Sequence, residues 1–134
     1  MPPRILVVDD DEAYLAGLGE LLELHGYEPI LASTFEEGQR ALREDRPALL
    51  LADVRLGPFN GLQLLATSPM RIPAIVVSGF EDRVLQTEAR ALGAHYLVKP
   101  VDTAALLALI DERLAAANKS AVVSTTPPLG AEEL

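Results

Sequence analysis

Residues 5–11 are Ile-Leu-Val-Val-Asp-Asp-Asp, so that a run of four apolar side chains ends directly on three acids. The same change from apolar to polar occurs three more times along the chain, at residues 48–53 (Ala-Leu-Leu-Leu-Ala-Asp), 74–78 (Ala-Ile-Val-Val-Ser) and 96–99 (Tyr-Leu-Val-Lys). A weaker apolar run lies at residues 29–32. Short, continuous apolar runs are typical of strands that are buried on both faces of a parallel sheet. The chain therefore predicts five such strands, four of which end on a polar side chain.

Segments with the period of a helix lie between these runs and after the last one. Their apolar residues recur three or four positions apart, as on one face of a helix. The clearest stripes are Leu15, Leu18 and Leu22; Phe35, Gly38 and Leu42; Leu85, Ala89 and Leu92; and Leu107, Ile110 and Leu114. A fifth, short helix is expected from Gly61 to about Ala66. Strands that alternate with helices predict an α/β fold, in which helices cover both faces of a five-stranded parallel sheet.

The composition narrows the class of protein. A length of 134 residues is enough for one domain, and a formal charge of −9 opposes binding to nucleic acid or to an anionic membrane. The absence of cysteine agrees with a reducing compartment, so we expect a cytoplasmic protein. We expect residues 1–118 to form the domain. Residues 119–134 contain Ser, Thr, Pro and Gly without periodicity, and we expect them to form a flexible tail or linker.

The polar residues at the strand ends are expected to meet, because ligands of open α/β sheets bind beyond the carboxyl ends of the strands. These residues are Asp9 and Asp10, Asp53, Ser78 and Lys99. Each alone has an ordinary explanation as a cap, a turn or a surface residue. Two carboxylates ~5 Å apart repel by about 3 kcal/mol at an effective dielectric of 20, so a cluster of three requires a compensating cation. Carboxylate oxygens suit Mg²⁺ or Mn²⁺ better than zinc.

In this order, the motifs resemble the receiver domain of bacterial two-component response regulators, over about Arg4 to Ala117. The matching stretches are residues 5–11, 49–56 followed by Gly61, 75–79 and 93–100. The resemblance implies a doubly wound, flavodoxin-like fold with strand order 2-1-3-4-5 and five flanking helices. It further implies that Asp53 takes a phosphoryl group from a histidine kinase or a histidine phosphotransfer protein. The chain would then be a signalling switch and not an enzyme.

The resemblance also assigns a metal site. Asp10 and Asp53 would ligate Mg²⁺, Asp9 would assist through water, and the backbone carbonyl of Arg55 would be a further ligand. A carboxylate can attack phosphorus once its surroundings are neutralised and the transferring oxygens are held. The metal, together with a lysine, would satisfy both requirements.

A second set of implied roles concerns the switch. Ser78 would receive a phosphoryl oxygen, Lys99 would pair with the phosphoryl group, and the Lys99–Pro100 peptide would be cis. Tyr96 would turn inward when the hydroxyl of Ser78 moves. The surface of the fourth helix, fifth strand and fifth helix, to which Arg83 and Arg90 would contribute, would then bind a downstream protein, an attached output domain or a second phosphorylated copy.

The sequence departs from the family pattern in the segment after Asp53. The residues Leu56, Gly57 and Pro58 shift a proline by one position, and the third helix is expected to be short. Arg55 and Phe80 each lie two residues beyond a site residue, where family members tune the loss of the phosphoryl group. We hypothesise that these two side chains shield it from water; the alternative is that both face solvent.

Three other functions remain open at this stage. A flavodoxin-like cofactor binder needs a phosphate-binding loop of small residues after the first strand, where this chain has three acids. A haloacid-dehalogenase-type phosphatase also uses an Asp nucleophile with Mg²⁺, and Asp9 and Asp11 imitate its motif. A docking module that never binds phosphate would leave the acidic set unexplained.

Overall fold

The computed structural model of the protein describes residues 1–124. Five parallel strands form its main sheet: β1 (Arg4–Val8), β2 (Glu28–Ala32), β3 (Leu49–Asp53), β4 (Ala74–Ser78) and β5 (Ala94–Val98). Their order is β2-β1-β3-β4-β5, which confirms the predicted doubly wound, flavodoxin-like arrangement. In the register of the sheet, Ile5 lies opposite Leu49, and Ser78 lies opposite Val98. The carboxyl ends of the central strands therefore meet at one edge.

The five predicted helices are present in this part of the chain: α1 (Glu12–Leu24), α2 (Phe35–Glu44), α3 (Gly61–Ala66), α4 (Arg83–Ala91) and α5 (Thr103–Ser124). All five begin after a polar side chain that accepts a backbone N–H of the first turn, as N-caps do: Asp11, Thr34, Asn60, Asp82 and Asp102. None of the helices within residues 1–124 is both long and apolar enough to cross a membrane.

The end of α5 differs from the boundary predicted at residue 118. The helix continues to Ser124, six residues further. Residues 125–134 of the predicted tail lie outside the described residues, so the linker remains a prediction.

Alternation along the strands explains why they are apolar throughout, since successive side chains point to opposite faces of the sheet. One set packs under α1 and α5; it includes Ile5, Val7, Leu49, Leu51 and Ile75 with the helix residues Leu18, Leu22, Leu106 and Ile110. The other set packs under α2 and α3; it includes Leu6, Val8, Leu50 and Ala52 with Leu42 and Leu64. Each fully buried Leu, Ile or Val contributes roughly 1.5–3 kcal/mol, so both layers stabilise the edge that carries the polar residues.

Between β3 and α3 the chain forms a small antiparallel hairpin of Arg55–Leu56 with Phe59–Asn60, which we call the β3–α3 hairpin. Gly57 takes a positive φ of 64° in its turn. The sequence indicated an altered loop here but not this hairpin. The hairpin is followed by Gly61, the first residue of α3, where a Cβ would lie 2.6 Å from the carbonyl oxygen of Asp53. A side chain at residue 61 would therefore push against the backbone of Asp53.

Candidate functional site

Backbone hydrogen bonds at the strand ends place the polar residues. The N–H of Asp9 donates to the carbonyl of Ala32 on the neighbouring strand (3.1 Å), which continues the ladder beyond β1. Asp53 is the last residue of β3, and the N–H of Lys99 donates to the carbonyl of Ser78 (2.7 Å). The four strand ends thus deliver their side chains to one end of the sheet, as the sequence predicted.

Three acids form the centre of this site. Carboxylate oxygens of Asp9, Asp10 and Asp53 all lie within 4.8 Å of one another. Asp9 is 4% exposed, whereas Asp10 is open to solvent. One oxygen of Asp9 accepts the backbone N–H of Asp11 (2.9 Å), and one oxygen of Asp53 accepts that of Arg55 (3.0 Å). Backbone donors therefore orient two of the three carboxylates.

Lys99 supplies the positive charge of the site. Its Nζ lies 3.1 Å from Oδ2 of Asp53 and 3.9 Å from Oδ2 of Asp9. Burial on its own would lower the pKa of Lys99, but the hydrogen bond and charge of Asp53, aided by the charge of Asp9, outweigh it and raise the pKa. Lys99 is consequently an ammonium ion across the physiological range.

The site still has more negative charge than this ammonium can balance. Burial raises the pKa of the Asp9 carboxyl, and the charges of Asp53 and Asp10 add to the rise; the Asp11 amide and Lys99 oppose it. The site contains three carboxylates and one ammonium, and all of its candidate metal-ligand atoms are carboxylate oxygens. A hard divalent cation prefers such oxygen ligands. The acidic cluster is therefore suited to bind a metal ion.

Ser78 and Tyr96 meet at the loop between β4 and α4. The hydroxyl of Ser78, which is 2% exposed, donates to the backbone carbonyl of Phe80 (3.0 Å). The hydroxyl of Tyr96 donates to the same carbonyl (3.1 Å). A movement of either hydroxyl would therefore change the hydrogen bonding of the other. The Lys99–Pro100 peptide at the end of β5 is cis, as the resemblance implied.

Arg55 and Phe80 contact each other at the rim of the site. The guanidinium carbon of Arg55 lies 5.1 Å from the centre of the Phe80 ring, within the range of a cation–π contact. Phe80 is 46% exposed, and Arg55 is exposed as well. The two side chains therefore contact each other while both remain accessible to water, and their shielding of a phosphoryl group stays a hypothesis.

The model of the response regulator receiver domain family matches residues 5–111 of this chain. The chain belongs to this family. The receiver domain is 35% identical over 137 residues to the transcriptional regulatory protein PrrA of Mycobacterium tuberculosis, with 95% of the chain and 58% of PrrA covered. It is 31% identical over 118 residues to protein PilH of Pseudomonas aeruginosa, with 84% of this chain and 98% of PilH covered. It thus spans little more than half of PrrA and nearly all of PilH.

Solved structures resemble the receiver domain over most of its length. A CheY-like receiver domain protein from Methanospirillum hungatei JF-1 superposes with a TM-score of 0.85 at 32% identity, covering 90% of this chain and 99% of that one. A response regulator receiver protein from Pseudomonas putida superposes with a TM-score of 0.76 at 33% identity, covering 84% of this chain and 98% of that one. The fold predicted from the sequence is the fold of this family.

One aromatic residue of the site, Tyr14, was not among the residues predicted from the sequence. The ring of Tyr14 lies under the ammonium of Lys99, with its centre 5.1 Å from Nζ. Burial raises the pKa of Tyr14 against the opposing charge of Lys99, with further contributions from Asp9 and Asp53. Tyr14 precedes Leu18 by four residues, so it lies on the same side of α1 at the end next to Asp9, although it is itself 37% exposed.

Proposed function

We propose that Asp53 accepts a phosphoryl group from a phosphohistidine of a histidine kinase or a histidine phosphotransfer protein. The observation that supports this most strongly is the position of the Asp53 carboxylate. One of its oxygens contacts the Lys99 ammonium at 3.1 Å, and the carboxylate also lies within 4.8 Å of two further acids. A nucleophile between a positive charge and a metal-binding cluster is the arrangement that phosphoryl transfer requires.

The transfer itself forms a bond between an Asp53 oxygen and phosphorus while the phosphorus–nitrogen bond to the donor imidazole breaks. The N–H of Arg55 fixes Oδ1 of Asp53, and Lys99 faces Oδ2 and pairs with an oxygen of the incoming group. Asp10, Asp53 and the Arg55 carbonyl would hold Mg²⁺ or Mn²⁺, with Asp9 assisting through water. The bound metal would neutralise charge on the transferring oxygens.

The product acts as a switch in this proposal. A phosphoryl group on Asp53 presents new acceptor oxygens, and the Ser78 hydroxyl leaves the carbonyl of Phe80 to donate to one of them. The Phe80 carbonyl then no longer accepts from Ser78, and the ring of Tyr96, whose hydroxyl also donates to this carbonyl, turns inward. The surface of α4, β5 and α5, including Arg83 and Arg90, then binds a downstream protein, an output domain or a second copy.

The phosphatase alternative is less well supported. Its motif would require Asp11 to act as an acid beside a nucleophilic Asp9. The side chain of Asp11 instead accepts the backbone N–H of Tyr14 as the N-cap of α1 (3.1 Å). The backbone N–H of Asp11, and not its carboxyl group, donates to a carboxylate oxygen of Asp9. A signalling switch therefore accounts better for the acidic set than a turnover enzyme does.

The experiment is incubation of the chain with a small acyl phosphate, followed by intact mass spectrometry, with Mg²⁺ and with a chelator. We expect one phosphoryl group per chain with Mg²⁺ and little without it. Asp53→Asn should take up none, whereas Asp82→Asn, which alters only the cap of α4, should behave as the wild type. Steady release of phosphate that is lost in Asp9→Asn but retained in Asp53→Asn would favour the phosphatase.

A further inference from the structure

Tyr14 is fixed at the start of α1 by the same cap that orients Asp9. The backbone N–H of Tyr14 donates to Oδ1 of Asp11, and the backbone N–H of Asp11 donates to Oδ1 of Asp9. The ring also lines a small, mostly apolar cavity beneath the carboxylates, together with Leu18 and Leu106. The backbone of Tyr14 is therefore fixed beside the site, and its partly exposed ring lines the cavity there.

Lys99 reaches the site on a flexible side chain. An ammonium group is a compact point charge on a four-carbon stem, so a single ion pair does not fix its position. Its contact with Asp53 is close, at 3.1 Å, but its contact with Asp9 is longer, at 3.9 Å. About a third of the side chain is exposed, which leaves it a route into solvent.

The face of the Tyr14 ring provides the remaining contact. An aromatic face carries negative quadrupole density and attracts a cation within about 6 Å of its centre. The distance of 5.1 Å from Nζ of Lys99 to the ring centre meets this condition. The ammonium is thus held between two carboxylates and a ring that comes from a third element of the fold.

We propose that Tyr14 is a positioning residue that keeps the Lys99 ammonium beside Asp53, ready to pair with the phosphoryl group. This inference rests on the proposed function of Asp53. The ring carries the effect and the hydroxyl does not, so phenylalanine is expected to replace tyrosine at this position. Leucine, which fills the helix stripe without a π face, is expected to fail.

The first measurement is NMR of the unphosphorylated protein. Ring currents should shift the Cε protons of Lys99 upfield in the wild type and in Tyr14→Phe, and the shift should disappear in Tyr14→Leu. Tyr27→Leu is the matched control, since the Tyr27 hydroxyl contacts Asp111 of α5 and not the site. It should leave the Lys99 protons unchanged. Equal Lys99 shifts in the wild type and Tyr14→Leu would overturn the inference without involving phosphate.

The second measurement is the rate of labelling by a small acyl phosphate with Mg²⁺. Tyr14→Leu should be slowed about three- to tenfold, the range expected of a partly exposed cation–π contact, and Tyr14→Phe should stay within about twofold. In a Lys99→Met background, Tyr14→Leu should cause no further loss, because the ammonium that it positions is absent. An equal loss in both backgrounds would mean a merely structural role and overturn the inference. A wild type that takes no label would instead overturn the proposed function of Asp53.

Discussion

Replacing Asp9 with Asn is expected to stabilise the fold while it weakens the site. Burial and the charges of Asp53 and Asp10 raise the pKa of the Asp9 carboxyl above its unfolded value. A carboxyl with a raised folded pKa stabilises the fold at low pH. This contribution is lost as pH rises through the folded pKa, so the ionised carboxylate lowers the free energy of unfolding at neutral pH. Asparagine keeps the oxygen that accepts the N–H of Asp11 and removes the charge.

The magnitude follows from the distances around Asp9. A carboxylate pair at 4.8 Å repels by about 3.5 kcal/mol at an effective dielectric of 20. The Lys99 ammonium, at 3.9 Å, attracts Asp9 by about 4 kcal/mol on the same scale and offsets the repulsion from Asp53. Burial of Asp9 and the repulsion from Asp10 remain, and the latter is screened because Asp10 is exposed. A net gain of roughly 1–2 kcal/mol is expected, or about 3–8 °C in Tm.

The assay is thermal unfolding in a chelator, for the wild type, Asp9→Asn and Asp10→Asn. The gain in Tm should be larger for Asp9→Asn than for the exposed Asp10→Asn, and it should shrink as the pH falls through the raised pKa of the wild-type Asp9 carboxyl, which is then protonated as well. Added Mg²⁺ should raise the Tm of the wild type more than that of Asp9→Asn. An Asp9→Asn variant less stable than the wild type at neutral pH, or a gain that does not depend on pH, would refute this reasoning.

Two further predictions concern the surroundings of the site. Gly61→Ala should destabilise the chain by about 2–4 kcal/mol in urea unfolding and slow labelling, because its Cβ would lie 2.6 Å from the carbonyl oxygen of Asp53. Gly17→Ala on the exposed face of α1 meets no neighbour and should stabilise by about 0.5–1 kcal/mol; a similar result at both positions would contradict the close approach. Arg55→Ala and Phe80→Ala should each hasten loss of the phosphoryl group about two- to fivefold after the donor is removed. Because the two side chains act as one pair, the double variant should lose the group little faster than the faster of the two single variants. Loss no faster in the single variants than in the wild type would show that the pair does not shield the site.

The parts of the site that come from strand ends could be predicted from the sequence. A parallel sheet brings the carboxyl ends of its strands to one edge, so finding the strands was enough to bring together Asp9, Asp53, Ser78 and Lys99. Apolar runs that alternate with helical stripes also predicted the α/β class with a parallel sheet, whereas the strand order followed from the resemblance to receiver domains. The short α3 also followed from the small spacing between Gly61 and β4.

The contacts between side chains could not be predicted in the same way. Tyr14 meets Lys99, and Arg55 meets Phe80, across elements far apart in sequence, and such contacts depend on helix phase and loop path. The β3–α3 hairpin was missed because a two-residue strand has no periodicity. The extent of α5 beyond residue 118 was missed because Ser120 and the residues after it lack an apolar stripe.

The proposed function depends most on the identity of the residue that carries phosphate. The decisive measurement is peptide-level mass spectrometry of the wild-type chain after brief exposure to an acyl phosphate with Mg²⁺. We expect a single phosphoryl group on the peptide that contains Asp53, with none on the peptides that contain Asp9 and Asp10 or Ser78. A phosphoryl group on either of those peptides, or a chain that remains unlabelled under conditions that keep it folded, would contradict the account.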